Sequence, residues 1–135
     1  MTAEILKMPS KDGVDLDKVY ESLMQNYRDN PPQLSHTPNH VLTVLEVNFD
    51  AIAYNYLRIK QDFHGRICAA VVKCDAYGIG AENVSKKLYS VGCRHFFVAT
   101  LDEAVTVRMA LPEDAEILVF SGVLPGTEEI GRAHV

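Results

Sequence analysis

The sequence lacks tryptophan, a run of apolar residues near the ~18 needed for a membrane-spanning helix, and any excess of positive charge. Its three cysteines, Cys68, Cys74 and Cys93, form no Cys-X-X-Cys pair, which argues against a disulfide framework and against a zinc site. The 13 Lys and Arg against 18 Asp and Glu leave no basic footprint for nucleic acid. No basic stretch followed by an apolar core opens the chain, so no secretory signal is predicted. These absences predict a cytoplasmic protein without nucleic-acid or membrane partners.

What is present fits one domain, or part of one, in 135 residues that are 47% hydrophobic. Residues 1–38 differ from the rest, with a polar start, a helical spacing of apolar residues from Leu16 to Tyr27, and a proline-containing linker. We predict that residues 1–38 form an N-terminal helical extension and linker. Residues 39–129 are predicted to be the folded body, and residues 130–135 a tail.

The six residues of the tail match the translation of a DNA sequence used in library preparation. Residues 130–135 are the translation of ATC GGA AGA GCA CAC GTC, a string found in a common short-read sequencing adapter. The leading AG of that adapter would also complete a codon for Glu129. We therefore expect a non-native tail and a natural reading frame that continues, which a genomic read reproducing this ending would contradict.

The body alternates between apolar runs and helical patterns. Strands are predicted at 41–47, 67–72, 95–99 and 116–120, with a helix after each of the first three. This order predicts βαβ units and a parallel sheet whose strands are buried on both faces. Two completions fit: a doubly wound open sheet, or a (β/α)8 barrel, which needs ~250 residues and cannot close in this chain. In both, chemistry belongs at the carboxyl ends of the strands.

Two local patterns mark helix ends. Gly92 stands in the C′ place after the helix that follows the second predicted apolar run. Thr100 and Glu103 have the spacing of a capping box, in which each residue satisfies a backbone amide at the start of a helix.

Lys73 is the leading candidate for chemistry because it directly follows the apolar run 67–72. A low-dielectric setting favours a neutral amine, which can form an imine with an aldehyde. The pattern also fits a lysine that only marks where a strand reaches solvent. Tyr77, in a glycine-containing turn, can hold an anion or pack on that turn. Nucleotide-binding glycine motifs are absent, and the histidines lack metal-ligand spacing, so no metal is predicted.

The segment 70–80, AVVKCDAYGIG, resembles the pyridoxal-phosphate lysine motif of alanine racemases, AVVKADAYGHG. Residues 45–52 resemble the opening strand and helix of that family, and residues 98–104 resemble its second barrel segment. Residues 117–120 fall where the family has its third strand. The resemblance covers about residues 41–128.

The resemblance implies an α/β fold, the N-terminal part of a (β/α)8 TIM barrel with about three βα units within residues 39–129. In the family a β domain follows, and the full-length enzyme is a homodimer. Lys73 matches the lysine that holds pyridoxal 5'-phosphate as an internal aldimine and serves as one of two bases. Tyr77 matches a tyrosine beside the cofactor phosphate, and Phe120 aligns with a leucine that touches the cofactor. The implied activity is interconversion of L-alanine and D-alanine, which feeds bacterial cell-wall synthesis.

The sequence departs from the family in three ways. Ile79 replaces a histidine, and Cys74 replaces a common alanine. The opposite-face tyrosine, the arginine facing the pyridine nitrogen and most of the phosphate-binding backbone belong to a region downstream of these residues. We therefore expect this chain by itself to be inactive.

Three alternatives stay open on the sequence alone. A related barrel-type racemase or decarboxylase of another amino acid shares the lysine at a strand end. A non-catalytic pyridoxal-phosphate carrier shares it too, although the DAYG string after Lys73 favours the racemases. The third alternative is a remnant that only binds or interacts.

Overall fold

The structure is a computed structural model that describes residues 15–30, 43–63, 66–122 and 125–126. The chain divides into two compact units, one up to Leu42 and one from Thr43 onward. Much of the predicted extension and linker, and the whole predicted tail, lie outside the described residues. The boundaries proposed from the sequence therefore stay predictions.

The first unit contains helix α1, Leu16–Asp29. The carboxylate of Asp15 begins it by accepting hydrogen bonds from the amides of Asp17 and Lys18 at 3.2 and 3.3 Å. This confirms the helix predicted from the apolar spacing after Leu16. None of the described helices is both long and apolar enough to cross a membrane.

The second unit is an α/β assembly of helices and one parallel sheet. Its elements are α2 Phe49–Asp62, β1 Ala70–Val71, α3 Lys73–Gly78, α4 Ala81–Ser90, β2 His95–Val98, α5 Leu101–Ala110 and β3 Glu116–Val119. The strands lie in the order β1-β2-β3, and Phe96 is the register partner of both Ala70 and Ile117. The predicted α/β class and parallel pairing are confirmed.

The predicted strand at 41–47 is wrong for its described part. Residues 43–48 have no regular secondary structure, and the side chains of Val44 and Leu45 are 47% and 74% exposed. A strand is stable only when a neighbour takes its amide and carbonyl groups, and the described sheet begins at β1. The strand predicted at 67–72 is also shorter than expected, although the Val72 amide extends the pairing by donating to the Phe97 carbonyl at 2.8 Å.

The core lies between one face of the sheet and the helices. Its largest fully buried side chains are Val72, Phe96, Val98 and Val107, each no more than 1% exposed. On the opposite face of the sheet, Val71, Leu118 and Phe120 are 42%, 39% and 56% exposed. The sequence predicted strands buried on both faces, but within the described residues only the helix-facing side is covered.

Both predicted helix-end signals are present, but the Thr100–Glu103 pattern differs from a standard capping box. The Gly92 amide donates to Tyr89 O and the Cys93 amide to Leu88 O, both at 3.0 Å, which closes α4 with the paired bonds of a Schellman cap. Gly92 has a φ of 90°, the left-handed conformation this cap requires. The Thr100 hydroxyl accepts from the Glu103 amide at 3.4 Å and begins α5. The Glu103 carboxylate extends beyond this box, as described below.

Candidate active site

Lys73 lies at the carboxyl edge of the parallel sheet, separated from β1 only by Val72, as the sequence predicts. Its side chain is partly buried, and its Nζ lies 5.9 Å from the centroid of the Phe120 ring. Phe120 directly follows β3, and its amide donates to Val98 O at 2.9 Å. Strands that are not adjacent therefore deliver the amine and the aromatic ring to the same edge.

The ring of Phe120 packs against a side chain of the middle strand, β2. It stacks on Phe97 with ring centroids 5.0 Å apart and planes inclined by 20°. This offset stacking stabilises an aromatic pair beyond the area it buries. Phe120 thus presents a supported but half-exposed aromatic surface beside Lys73.

The segment after Lys73 is a turn of left-handed helix. Cys74, Asp75, Ala76 and Tyr77 have φ values of 53°, 53°, 51° and 58°. The left-handed conformation costs about 1–2 kcal/mol for each residue with a Cβ atom. The sequence predicts only a glycine-containing turn here, because three of these four residue types seldom adopt this conformation. Such strain persists only where the surrounding structure holds it in place.

Hydrogen bonds along the turn provide part of that support. The Ala76 amide donates to Val72 O, and the Gly80 amide donates to Asp75 O, both at 3.0 Å. The carboxylate of Asp75 accepts from the amide of Ala81, the first residue of α4, at 2.7 Å. Asp75 therefore links the left-handed turn to the start of the following helix.

Glu103 supplies support from the next βα unit. One carboxylate oxygen, Oε1, accepts from the Cys74 amide at 2.9 Å, and the other, Oε2, accepts from the Ala99 amide at 2.7 Å. The amides of Ala99 and Cys74 hold the pKa of Glu103 below its usual range, and the positive charge of Lys73 adds to this effect. The local spacing points to a helix cap and contains no signal for the contact with Cys74, which lies 29 residues away.

Tyr77 ends the left-handed turn and is 66% exposed. This exposure does not fit the alternative in which its ring packs on the turn, and it leaves the hydroxyl accessible to a ligand. Among the described residues, no group of His, Cys, Asp and Glu is arranged to hold a metal ion. The structure thus places Lys73 beside Phe120 and puts Tyr77 at the far end of the adjoining turn.

The match to known families decides the assignment. Residues 47–134 match the family described as alanine racemase, N-terminal domain. The chain belongs to this family. The resemblance carried by the segment 70–80 is therefore confirmed. The parallel sheet agrees with the barrel domain of the alanine racemases, which selects the barrel from the two completions left open by the sequence.

Individual alanine racemases agree with the family match. The chain is 49% identical over 84 residues to the catabolic alanine racemase of Rhizobium johnstonii, covering 62% of this chain. It is 45% identical over 85 residues to the alanine racemase of Brucella abortus, covering 63% of this chain. In both cases the chain spans 22% of the relative's length.

A solved structure is similar as well. The crystal structure of alanine racemase from Bartonella henselae with covalently bound pyridoxal phosphate matches with a TM-score of 0.60 and 40% sequence identity. The match covers 62% of this chain and 24% of that one. The individual roles of Lys73, Tyr77 and Phe120 stay predictions, and their geometry is the basis of the proposal below.

Proposed function

We propose that this chain is the N-terminal portion of an alanine racemase that holds pyridoxal phosphate on Lys73 and interconverts L-alanine and D-alanine. The observation that carries the proposal is the partly buried Lys73 amine at the carboxyl edge of the sheet, beside the Phe120 ring. The similar Bartonella henselae enzyme holds pyridoxal phosphate covalently, which supports the same cofactor here.

The residues present fit this cofactor. An aldehyde needs an amine, a flat pyridine ring needs an apolar surface, and a phosphate needs hydrogen-bond donors. Lys73 offers the amine, the exposed face of Phe120 offers apolar contact, and the accessible hydroxyl of Tyr77 can donate to an anion. When bound, pyridoxal phosphate supplies an electron sink that stabilises negative charge at the α-carbon of an amino acid.

The residues of this chain would contribute binding and proton transfer on one side of the substrate. In its neutral form, the Lys73 amine is able to accept a proton from the substrate α-carbon and return it. Phe120 would exclude water from one side of that amine. Inversion also needs a base on the opposite face, which we assign to a part of the protein outside this chain. We therefore propose that this chain alone does not racemise alanine, and that the full-length enzyme is a cytoplasmic homodimer.

Covalent labelling tests the role of Lys73. The chain is incubated with pyridoxal phosphate, reduced with borohydride and digested, and the modified lysine is identified by mass spectrometry. We expect the label on Lys73 and its loss in Lys73→Ala. Lys60→Ala is the matched control, because Lys60 Nζ also lies 5.9 Å from an aromatic centroid, that of Tyr56, but on α2. Equal labelling of wild type and Lys73→Ala would refute the assignment.

A second measurement tests whether this chain racemises alanine without the rest of the enzyme. Conversion of L-alanine to D-alanine is followed by chiral chromatography with pyridoxal phosphate and with or without the chain. We expect no racemisation by the chain above that of the free cofactor. Racemisation by the 135-residue chain would show that it contains both bases.

A further inference from the structure

One carboxylate joins the ends of two neighbouring strands at the candidate site. The Cys74 amide belongs to the first peptide after Lys73, and the Ala99 amide belongs to the first peptide after β2. Glu103 accepts from both, with one oxygen each, at 2.9 and 2.7 Å. It thereby fixes the point where the chain leaves the sheet after Lys73.

Helix capping alone does not explain this arrangement. In a capping box, the glutamate reaches back to the amide of the N-cap residue of its own helix. Here the Thr100 hydroxyl makes its half of the box, but Oε1 of Glu103 is bonded to a residue 29 positions earlier. A cap uses one acceptor oxygen, whereas here each oxygen of the carboxylate accepts from an amide that follows a different strand.

We infer that Glu103 is a positioning residue for Lys73: its carboxylate holds the peptide after Lys73 and so sets the direction in which the amine leaves the sheet. The inference rests on the proposed role of Lys73 in holding pyridoxal phosphate. The physical reason is the left-handed turn, which begins at Cys74 and is costly to maintain. Without an acceptor for its amide, Cys74 is free to relax towards ordinary φ values, and the Lys73 backbone turns with it.

The ionisation of Glu103 agrees with this role. Hydrogen bonds from backbone amides to a charged carboxylate are stronger than those between neutral groups. The same bonds keep the pKa of Glu103 low, so both oxygens act as acceptors at neutral pH. A glutamine at this position offers one acceptor oxygen and an NH₂ group, which cannot accept from the second amide.

The primary test is amide hydrogen exchange of the chain by NMR. Glu103→Gln keeps the size of the side chain, and we expect about tenfold faster exchange at Cys74 or Ala99 because one amide loses its acceptor. Asp102→Asn is the matched control, since it removes the same charge from an exposed neighbour in the first turn of α5. It should leave both exchange rates within about twofold of wild type. Unchanged exchange at both amides in Glu103→Gln would overturn the inference.

The second readout is the rate at which pyridoxal phosphate and borohydride label Lys73. We expect a severalfold slower rate in Glu103→Gln and in Glu103→Asp, whose shorter side chain keeps the charge but does not span both amides. Thr100→Ala weakens the start of α5 without removing the carboxylate, so it should lower stability and leave the labelling rate unchanged. Wild-type labelling in Glu103→Asp would mean that charge alone suffices and would overturn the inference.

The outcomes separate this inference from the proposed function. If the wild-type chain is not labelled at Lys73, the proposed function fails, and the exchange rates alone decide whether Glu103 holds the backbone after Lys73. If Glu103→Gln unfolds the chain, Glu103→Asp provides the same comparison of exchange rates. Faster exchange at Cys74 combined with wild-type labelling of Lys73 would overturn the positioning role.

Discussion

Two strand-to-helix junctions meet at the same edge of the sheet and are built differently. The junction after β2 is ordinary: Thr100 is extended, with φ −127° and ψ 164°, and its hydroxyl begins α5. The junction after β1 contains four consecutive non-glycine residues in the left-handed conformation. Strain is therefore concentrated next to the candidate lysine, a placement typical of functional sites.

The ordinary junction also supports the strained one. Glu103 belongs to the first turn of α5, yet one of its oxygens holds the Cys74 amide. Asp75 provides the other side-chain support by holding the start of α4. The following predictions test how far the two junctions depend on the sheet, on these carboxylates and on backbone conformation.

The largest effect is expected from a substitution in the central strand, which supports both junctions. Phe96 is fully buried in the central strand, and Phe96→Ala should lower the free energy of unfolding by about 3–5 kcal/mol, because it leaves a cavity under both junctions. Denaturant titration measures the loss. Phe97→Ala is the control, since Phe97 lies on the more exposed face, and its loss should be clearly smaller. Equal losses would mean that the two faces of the sheet contribute alike.

The next effect belongs to the strained junction alone. Asp75→Ala removes the acceptor of the Ala81 amide and should lower the free energy of unfolding by about 1–2 kcal/mol. Asp75→Asn keeps an acceptor oxygen and should lose less. Chemical denaturation of the three proteins gives the comparison. If the alanine variant matched wild type, Asp75 would not support the turn.

A glycine substitution should act in opposite directions at the two junctions. Cys74→Gly relieves a left-handed residue and should raise the free energy of unfolding by about 0.5–1 kcal/mol. Thr100→Gly removes a capping hydroxyl at an extended residue and should give no gain. Thermal unfolding of both variants measures the difference. A loss of stability in Cys74→Gly would show that the turn is not strained at that residue.

The smallest effect is expected from pH. The pKa of Glu103 is lower in the folded chain than in the unfolded one, so its stabilising contribution is present above the unfolded pKa and disappears as pH falls through the folded pKa. The unfolding free energies of wild type and Glu103→Gln should therefore differ at neutral pH and converge in acid. The comparison also cancels Asp114, whose pKa is lowered mainly by the Tyr89 hydroxyl. A difference independent of pH would contradict this origin.

The sequence predicts the parts of the site that depend on local pattern. The apolar run 67–72 predicts that Lys73 lies at a strand end, because the point where a buried run stops is visible in the order of the residues, although the strand itself is shorter than the run. The C′ glycine at Gly92 and the N-cap at Thr100 are predictable for the same reason, since each acts within one turn of its own helix. The alternation of strands and helices likewise predicts the parallel sheet.

The remaining features depend on contacts that are distant in sequence. The left-handed conformation of Cys74 and Ala76 runs against the preference of both residue types and is stabilised by the surrounding structure. The second bond of Glu103 crosses from α5 to the end of β1. The strand expected at 41–47 fails in its described part because apolar composition does not supply a pairing partner. Local pattern therefore locates the lysine but does not reveal what holds it.

The order of the strands has a consequence for how this region is made. Spatial order equals chain order, so during synthesis from the N-terminus each new strand meets the edge of the strand made just before it. The Cys74 amide, however, receives its carboxylate only after 29 further residues have been added. Lys73 is thus synthesised before the second and third strands of the sheet, and its orientation is completed one βα unit later.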